Sequence, residues 1–247
     1  MTRLGCMTDM WLFAALSDEE RTELQRSSVR RLEYKRGESL FSEGDAAEAV
    51  FLVTAGRLRL FKLSEDGREI TLGYLGLNDL FGEEILFADN RRTFNAEAVE
   101  DTRVCACFKK DMEAMLSSHP AMATRVIKVM ADRLAQLTEH LADVAIYDAR
   151  DRLLRTLGRL ARQNGEATEN GIRLGFRLTH DDLGALIGTS RVMVTNVLKA
   201  LREEGLVTTD NELRRLVIAP HLLNIETETA PETLSSRRCL CFSEPAV

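Results

Sequence analysis

No stretch of this chain is apolar for long enough to cross a bilayer, and Met1 to Met10 lacks the basic start and hydrophobic run of a secretory signal. Both absences point to the cytoplasm. Cysteine is scarce and odd in number: the five are Cys6, Cys105, Cys107, Cys239 and Cys241, too scattered for a disulfide framework and without zinc-knuckle spacing. Cys105 and Cys107 fall in the strand-like run RVCACF, which turns both to one face; they read as small buried hydrophobes, with a redox or metal role as the alternative. Cys239 and Cys241 lie in a polar tail, where a thiol sensor is the alternative to plain tail. Of the four histidines, His119, His180 and His221 have no constellation of partners around them, and His140 falls on the long helical stretch beside Leu141. There is no nucleophile–base–acid set, no phosphate-binding glycine loop and no cluster of metal ligands, so nothing points to an enzyme. Finally, excess positive charge is missing. A formal net charge of −6 argues against a surface that binds nucleic acid everywhere, yet allows a small recognition face on a larger acidic body.

What is present divides into regions. A length of 247 residues suits one large domain or two small ones, and 45% hydrophobic with 29% charged residues is ordinary for a soluble globular chain. Met10 to Ser28 reads as a short helical lead-in with Ser17 as its cap. From Val29 to Phe108 the runs AVFLVTAG, GRLRLFKL, REITLGYL and RVCACF alternate apolar and polar residues between glycine turns such as Gly44-Asp45 and Asp66-Gly67. Many short strands with glycine turns imply a small antiparallel barrel or roll. From Asp111 to Tyr147 the texture is one long helix. Ala123, Ile127, Met130, Leu134, Leu137, Leu141 and Val144 recur in steps of three and four, a heptad seam that predicts pairing with a second copy; packing on the chain's own roll is the alternative.

Asp148 caps a further helix, DARDRLLRTLGRLARQ. The polar segment NGEATENG reads as a loop, followed by a strand, IRLGFRL. The segment LTHDDLGALIGTSRVMVTNVLKALREEGLV then has the form of a helix-turn-helix. Thr179 and Asp182 stand at the two ends of a capping box, and Gly188 supplies the sharp turn. A second helix starts at Ser190 with Val194, Val197, Leu198 and Leu201 as its buried face. Its other face carries Arg191, Val192, Thr195, Asn196 and Lys199, and no acid occurs between Asp182 and Glu203. Arginine can pair bidentately with guanine and asparagine with adenine, while an apolar group can meet the thymine methyl. A merely solvated helical hairpin is the bland alternative. LVTTDNELRRLVIA reads as a two-stranded wing with Asp210 and Asn211 in its turn. The polar tail from Glu226 is expected to be poorly ordered.

In this order the chain resembles the catabolite activator (CRP)/FNR family of bacterial transcription regulators over Leu16 to Ile225. GDAAEAVFLVTAGRLRLF is similar to the family's roll signature, FGEEILF with RRT to its phosphate cassette, and the helix-turn-helix segment to its DNA-reading motif. The resemblance implies an α+β fold in four parts. These are an effector-sensing, cyclic-nucleotide-binding-like jelly roll with its lead-in (1–110), a long dimerisation helix (111–147), a winged helix-turn-helix (148–225) and a disordered tail (226–247). It implies effector contacts from Gly82, Glu83, Arg92, Thr93, Arg133 and Thr138, with the glutamate on a ribose hydroxyl and the arginine on a phosphate. It also implies DNA contacts from Thr179, Ser190, Arg191, Val192, Thr195, Asn196 and Lys199, and a homodimer through Ile127, Met130, Leu134, Leu137, Leu141 and Val144. Its partners would be double-stranded DNA at a palindromic operator, a small-molecule effector and, for an activator, RNA polymerase.

Some positions depart from the family's cyclic-AMP regulator. Leu137 replaces a small polar residue that reads adenine, Phe94 follows Thr93 where a small residue is usual, and the loop from Glu83 to Arg92 is a residue shorter. The effector therefore stays open between a cyclic nucleotide, another small anion and something different. Haem held by His140 and a thiol-based redox sensor are further readings. So is a ligand-binding module whose winged domain binds protein. An FNR-type iron–sulfur cluster is disfavoured, because only Cys6 lies near the N-terminus. In the recognition helix, SRVMVT is similar to the corresponding run in cyanobacterial nitrogen-control regulators, with Val192 in place of a cytosine-reading glutamate and Asn196 in place of an arginine.

Overall fold

A computed structural model of the chain describes residues 17–19, 29–86 and 91–224. They fall into two compact units that divide between Ile146 and Tyr147. The expected lead-in is described only at Ser17 to Glu19, and the tail with Cys239 and Cys241, like Cys6, lies outside the described residues.

In the first unit, β1 (Val29–Tyr34), β2 (Ser39–Phe41), β3 (Ala49–Ala55), β4 (Leu58–Leu63), β5 (Glu69–Leu75), β6 (Leu80–Phe81), β7 (Asn95–Ala98) and β8 (Thr102–Phe108) make two antiparallel sheets. Their orders are β1-β8-β3-β6 and β2-β7-β4-β5. Alternation along β3 and β8 decides where the cores form. Ala49, Phe51 and Val53 of β3, with Val104 and Ala106 of β8, face the second sheet and pack with Phe41, Leu58, Leu60, Phe81, Ala96 and Ala98. The intervening Val50, Leu52, Cys105 and Cys107 face the other way, onto Met112, Met115, Met122 and Val126. The expected apolar–polar alternation therefore fails in β3 and β8, because helices cover the outer face of their sheet.

Those helices are α1 (Lys109–Ser118) and α2 (Pro120–Ile146). The single long helix predicted from Asp111 to Tyr147 is thus two. Pro120 has no N–H to donate and disfavours helical backbone at the residue before it, and His119 accordingly leaves the helix at φ −128° and ψ 81°. Proline suits the first turn of the helix that follows. Among the described residues, no helix is long and apolar enough to cross a membrane.

The second unit begins with α3 (Ala149–Asn164), whose N-cap Asp148 accepts hydrogen bonds from the backbone N–H groups of Arg150 and Asp151. The segment expected to be a polar loop is a hairpin. Here β9 (Gly165–Thr168) pairs with β10 (Gly171–Leu174), closed by Gly171 at φ +135°. All of β9 is exposed, so no hydrophobic alternation marked it in the sequence. The strand predicted through Leu178 ends at Leu174. Then come α4 (His180–Ile187), α5 (Arg191–Glu203) and the wing, β11 (Val207–Asp210) and β12 (Arg215–Ile218), in a sheet of order β11-β12-β10-β9. Leu153, Leu157, Leu183, Val194, Leu198, Leu201, Val207 and Ile218 are fully buried and form the core of this unit.

At Gly56, between β3 and β4, φ is +79° and a Cβ would lie 2.4 Å from the Asp101 carbonyl oxygen. We expect Gly56→Ala to lower the stability of the roll by more than about 1 kcal/mol, measured as a shift of the urea midpoint without a change of slope.

Candidate effector cassette and DNA interface

The cassette forms where β6 ends. Gly82 has φ +91°, and a Cβ there would sit 2.9 Å from Nη1 of Arg92 and 3.0 Å from the Ala49 carbonyl oxygen. Only glycine lets the chain turn so close to that guanidinium. A 3₁₀ turn, Glu83–Leu86, follows and sends successive glutamates to different partners. Glu84 goes inward and is 2% exposed, like Arg92 at 3%. Arg92 donates from Nη1 to Glu84 at 3.3 Å and to the Gly82 carbonyl at 3.3 Å, and from Nη2 to the Ala49 carbonyl at 2.6 Å. Its guanidinium carbon lies 4.3 Å from the ring centre of Phe41 and 5.2 Å from that of Phe51. Burial pulls the Arg92 pKa down from its usual value, opposed by the Glu84 carboxylate. Thr93 donates from its hydroxyl to the other Glu84 oxygen at 3.3 Å.

Glu83 goes outward to α2, where its carboxylate pairs with Nη1 of Arg133, while Nη2 of Arg133 donates to the Leu80 carbonyl. Burial pushes the nearby Asp79 carboxyl up despite the Gly76 N–H and the charges of Arg133 and Arg57. The fold thus gathers Gly82, Glu83, Arg92, Thr93 and Arg133. Thr138 donates its hydroxyl to the Leu134 carbonyl of its own helix and is exposed. Phe94 tilts against Phe41 with ring centres 5.8 Å apart, so it joins the aromatic core of the roll. Glu84 is the residue that sequence reasoning passed over, although the doubled glutamate of FGEEILF was its signal.

Along α2, Met122 and Val126 are buried in the core, and Met130 packs against it in part. Ile127, Leu134, Leu137, Leu141 and Val144 are exposed, Leu134 at 66% and Leu141 at 70%. His140 is half-buried on the same helix.

In the second unit the capping box forms as expected. The Thr179 hydroxyl oxygen accepts from Asp182 N–H at 3.1 Å, and Thr179 N–H donates to the Asp182 carboxylate at 2.8 Å. Gly188 takes φ +66°, and Ser190 caps α5 by accepting from Met193 N–H at 3.2 Å. Arg191, Val192, Asn196 and Lys199 are exposed along α5. Two contacts were not foreseen. Arg191 lies 3.3 Å from the Asp181 carboxylate, and Nδ1 of His180 lies 2.8 Å from the Thr195 hydroxyl, which itself donates to the Arg191 carbonyl. Burial and the charges of Arg202 and Arg191 hold the His180 pKa below its usual value. In the wing, Arg173 of β10 bridges Asp210 at 2.9 Å and Glu166 at 2.7 Å, tying both hairpins together.

A jelly roll with a glycine–glutamate turn over a buried arginine, followed by a winged helix-turn-helix, defines a class of transcription regulator and no enzyme. Residues 31–119 match the family model of the cyclic nucleotide-binding domain, and residues 151–223 match that of the Crp-like helix-turn-helix domain. The cyclic AMP receptor protein of Thermus thermophilus is 38% identical over 196 residues, covering 79% of this chain and 87% of that relative. The global nitrogen regulator of Synechococcus elongatus is 30% identical over 71% of this chain and 80% of its own length. A crystal structure of a CRP-family transcriptional regulator from Thermus thermophilus superposes with a TM-score of 0.66 at 26% identity, covering 81% of this chain and 97% of that one. The chain belongs to the CRP/FNR family of bacterial transcription regulators.

Two outcomes follow from this geometry. Thr179→Ala removes the cap of α4 and should lower the stability of the second unit by about 0.5–2 kcal/mol in denaturant titration. Burial pushes the Cys107 thiol up to about 12, so it stays protonated near neutral pH, and Cys105 is buried beside it. Alkylation at pH 8 followed by peptide mapping should leave both unlabelled in the native protein and label both in denaturant. Rapid native labelling would instead favour the thiol-sensor reading.

Proposed function

We propose that this chain works as a homodimer that reads a palindromic operator in duplex DNA under the control of a phosphate-bearing effector, with a cyclic nucleotide as the class. One observation carries the coupling: Arg133 of α2 is bonded to Glu83 of the cassette, while the same helix exposes the apolar seam of Ile127, Leu134, Leu137, Leu141 and Val144. An effector that draws on Glu83 competes with Arg133 and so alters the hold on the helix through which two copies would pair. The match to the cyclic nucleotide-binding domain and the cyclic-AMP name of the Thermus relative support the effector class. Since α2 ends at Ile146 and the second unit starts at Tyr147, a shift of α2 is passed along the chain to the DNA-reading unit.

The chemistry is a population shift: the effector favours the dimer arrangement in which both recognition helices can dock. That arrangement must set them about 34 Å apart, one turn of DNA. Arg191 would read guanine, Val192 would meet a thymine methyl and Asn196 would reach adenine or phosphate. If the protein activates, RNA polymerase is the further partner.

The test is selection of duplex DNA from a random pool by the full chain with and without cyclic AMP or cyclic GMP, followed by anisotropy titration on the selected site. A palindromic site bound more tightly with nucleotide is expected. No sequence-selective retention under any condition would instead favour a winged domain that binds protein. On the selected site, Arg191→Ala should cost about 1–3 kcal/mol and relax preference at one base pair per half-site, whereas uniform weakening would make Arg191 a phosphate contact. Leu134→Glu should yield a monomer in analytical ultracentrifugation and abolish tight operator binding, with the melting of the roll unchanged.

A further inference from the structure

In this cassette the arginine assigned to an effector phosphate is already neutralised from inside the protein. Nη1 of Arg92 faces the Glu84 carboxylate, Nη2 faces the Ala49 carbonyl, and both charged groups lie almost entirely out of water. The Arg92 Nε–H is buried and has no hydrogen-bond partner among the described residues, so the guanidinium keeps one donor unused there. A phosphate oxygen could engage such a donor. The charges around it do not welcome an anion. Glu83 and Glu84 balance Arg133 and Arg92, and Asp45 and Asp79 stand close to the two arginines. Within the cassette itself each of the two buried or half-buried arginines thus already has a carboxylate partner, and Arg91 beside them is exposed and donates to the Gly44 carbonyl.

We propose that Glu84 is a specificity-determining residue of the effector cassette, a built-in counter-ion of Arg92 that a phosphate-bearing effector must displace in order to bind. The proposal rests on the reading of the cassette as a phosphate site. Three features support displacement over a fixed structural pair. The Glu84–Arg92 contact is long, at 3.3 Å, for a charge-assisted bond. Glu84 belongs to a short 3₁₀ turn rather than to a strand, so its backbone is held by few ladder bonds. Thr93, which bonds the other Glu84 oxygen, is itself exposed and can turn to a ligand once the carboxylate leaves. The consequence is a penalty specific to anions. A ligand with the same sugar and base but no phosphate does not meet it.

The test measures cyclic AMP and adenosine binding to the full chain by isothermal titration calorimetry, in the native protein and in Glu84→Gln and Glu84→Leu. Circular dichroism and thermal melts establish that each variant is folded. Removing the competing carboxylate should tighten cyclic AMP binding by about tenfold or more and leave adenosine unchanged. Unchanged or weaker cyclic AMP binding in folded variants, with the native protein binding it through Arg92 (lost in Arg92→Ala), overturns the counter-ion role while the phosphate reading stands. Equal tightening for adenosine also overturns it, since the gain is then not electrostatic. Failure of both variants to fold, even with saturating cyclic AMP, would make Glu84 a structural requirement and overturn it as well. No binding of cyclic AMP to any form overturns the phosphate reading and this proposal together.

Discussion

One guanidinium inside an apolar roll sets the terms for the rest of the first unit. Arg92 lies against the rings of Phe41 and Phe51, where a cation is tolerable only with acceptors on several sides. The chain supplies them from three separated places: the carbonyl of Ala49 in β3, the carbonyl of Gly82 after β6, and the carboxylate of Glu84. Breaking a buried pair of this kind by removing one partner typically costs about 3–5 kcal/mol, against about 0–1 kcal/mol for an exposed pair. The glycine conformation at Gly82 follows from the same requirement, because any Cβ would press on Nη1 of Arg92. Once Gly82 turns there, Glu83 and Glu84 must diverge. The outward one reaches Arg133 and fastens α2 to the cassette.

The long helix then serves two surfaces at once. Met122 and Val126 fill the space over Cys105, Cys107, Val50 and Leu52, while the seam residues further along face solvent in the single chain. Pro120 makes this possible by ending α1 and starting α2, so each helix can lie on the sheet in its own direction. An uninterrupted helix would have to hold one line across a twisted sheet. A stripe of five exposed aliphatic side chains is also a liability for a solitary chain, which gives the seam a physical reason to be covered.

Local chemistry was legible in the sequence. The capping box at Thr179 and Asp182, the turn at Gly188, the cap at Asp148 and the wing depend on neighbours within a few residues, and they stand where the motifs put them. Of the roll's strands, β3, β4, β5 and β8 were legible from their apolar runs, whereas β1, β2, β6 and β7 were not marked out. Tertiary decisions were not. Which of two adjacent glutamates goes inward depends on the direction of a 3₁₀ turn under a distant arginine, and no periodicity encodes that. The β9–β10 hairpin was missed because β9 buries nothing, and hydrophobic pattern reports burial rather than hydrogen bonding. The break at His119 had a signal in Pro120, outweighed by a seam that runs on beyond it. Asp181 was not singled out in the sequence, yet it reaches the neighbouring helix.

The contacts of α5 bear on what the proposed DNA interface can read. An exposed pair such as Arg191–Asp181 is worth at most about 1 kcal/mol, whereas a bidentate arginine–guanine contact discriminates by about 1–3 kcal/mol. On the proposed reading a guanine contact would outcompete Asp181, and the pair would hold the fork until such a base arrived. The Thr195 hydroxyl is engaged by His180 and by the Arg191 carbonyl, leaving its methyl as the free part of that side chain. With Val192 exposed on the same helix, the face between Arg191 and Asn196 is more apolar than its composition implies. On the proposed reading such a face would suit thymine methyls beside the guanine that Arg191 would meet.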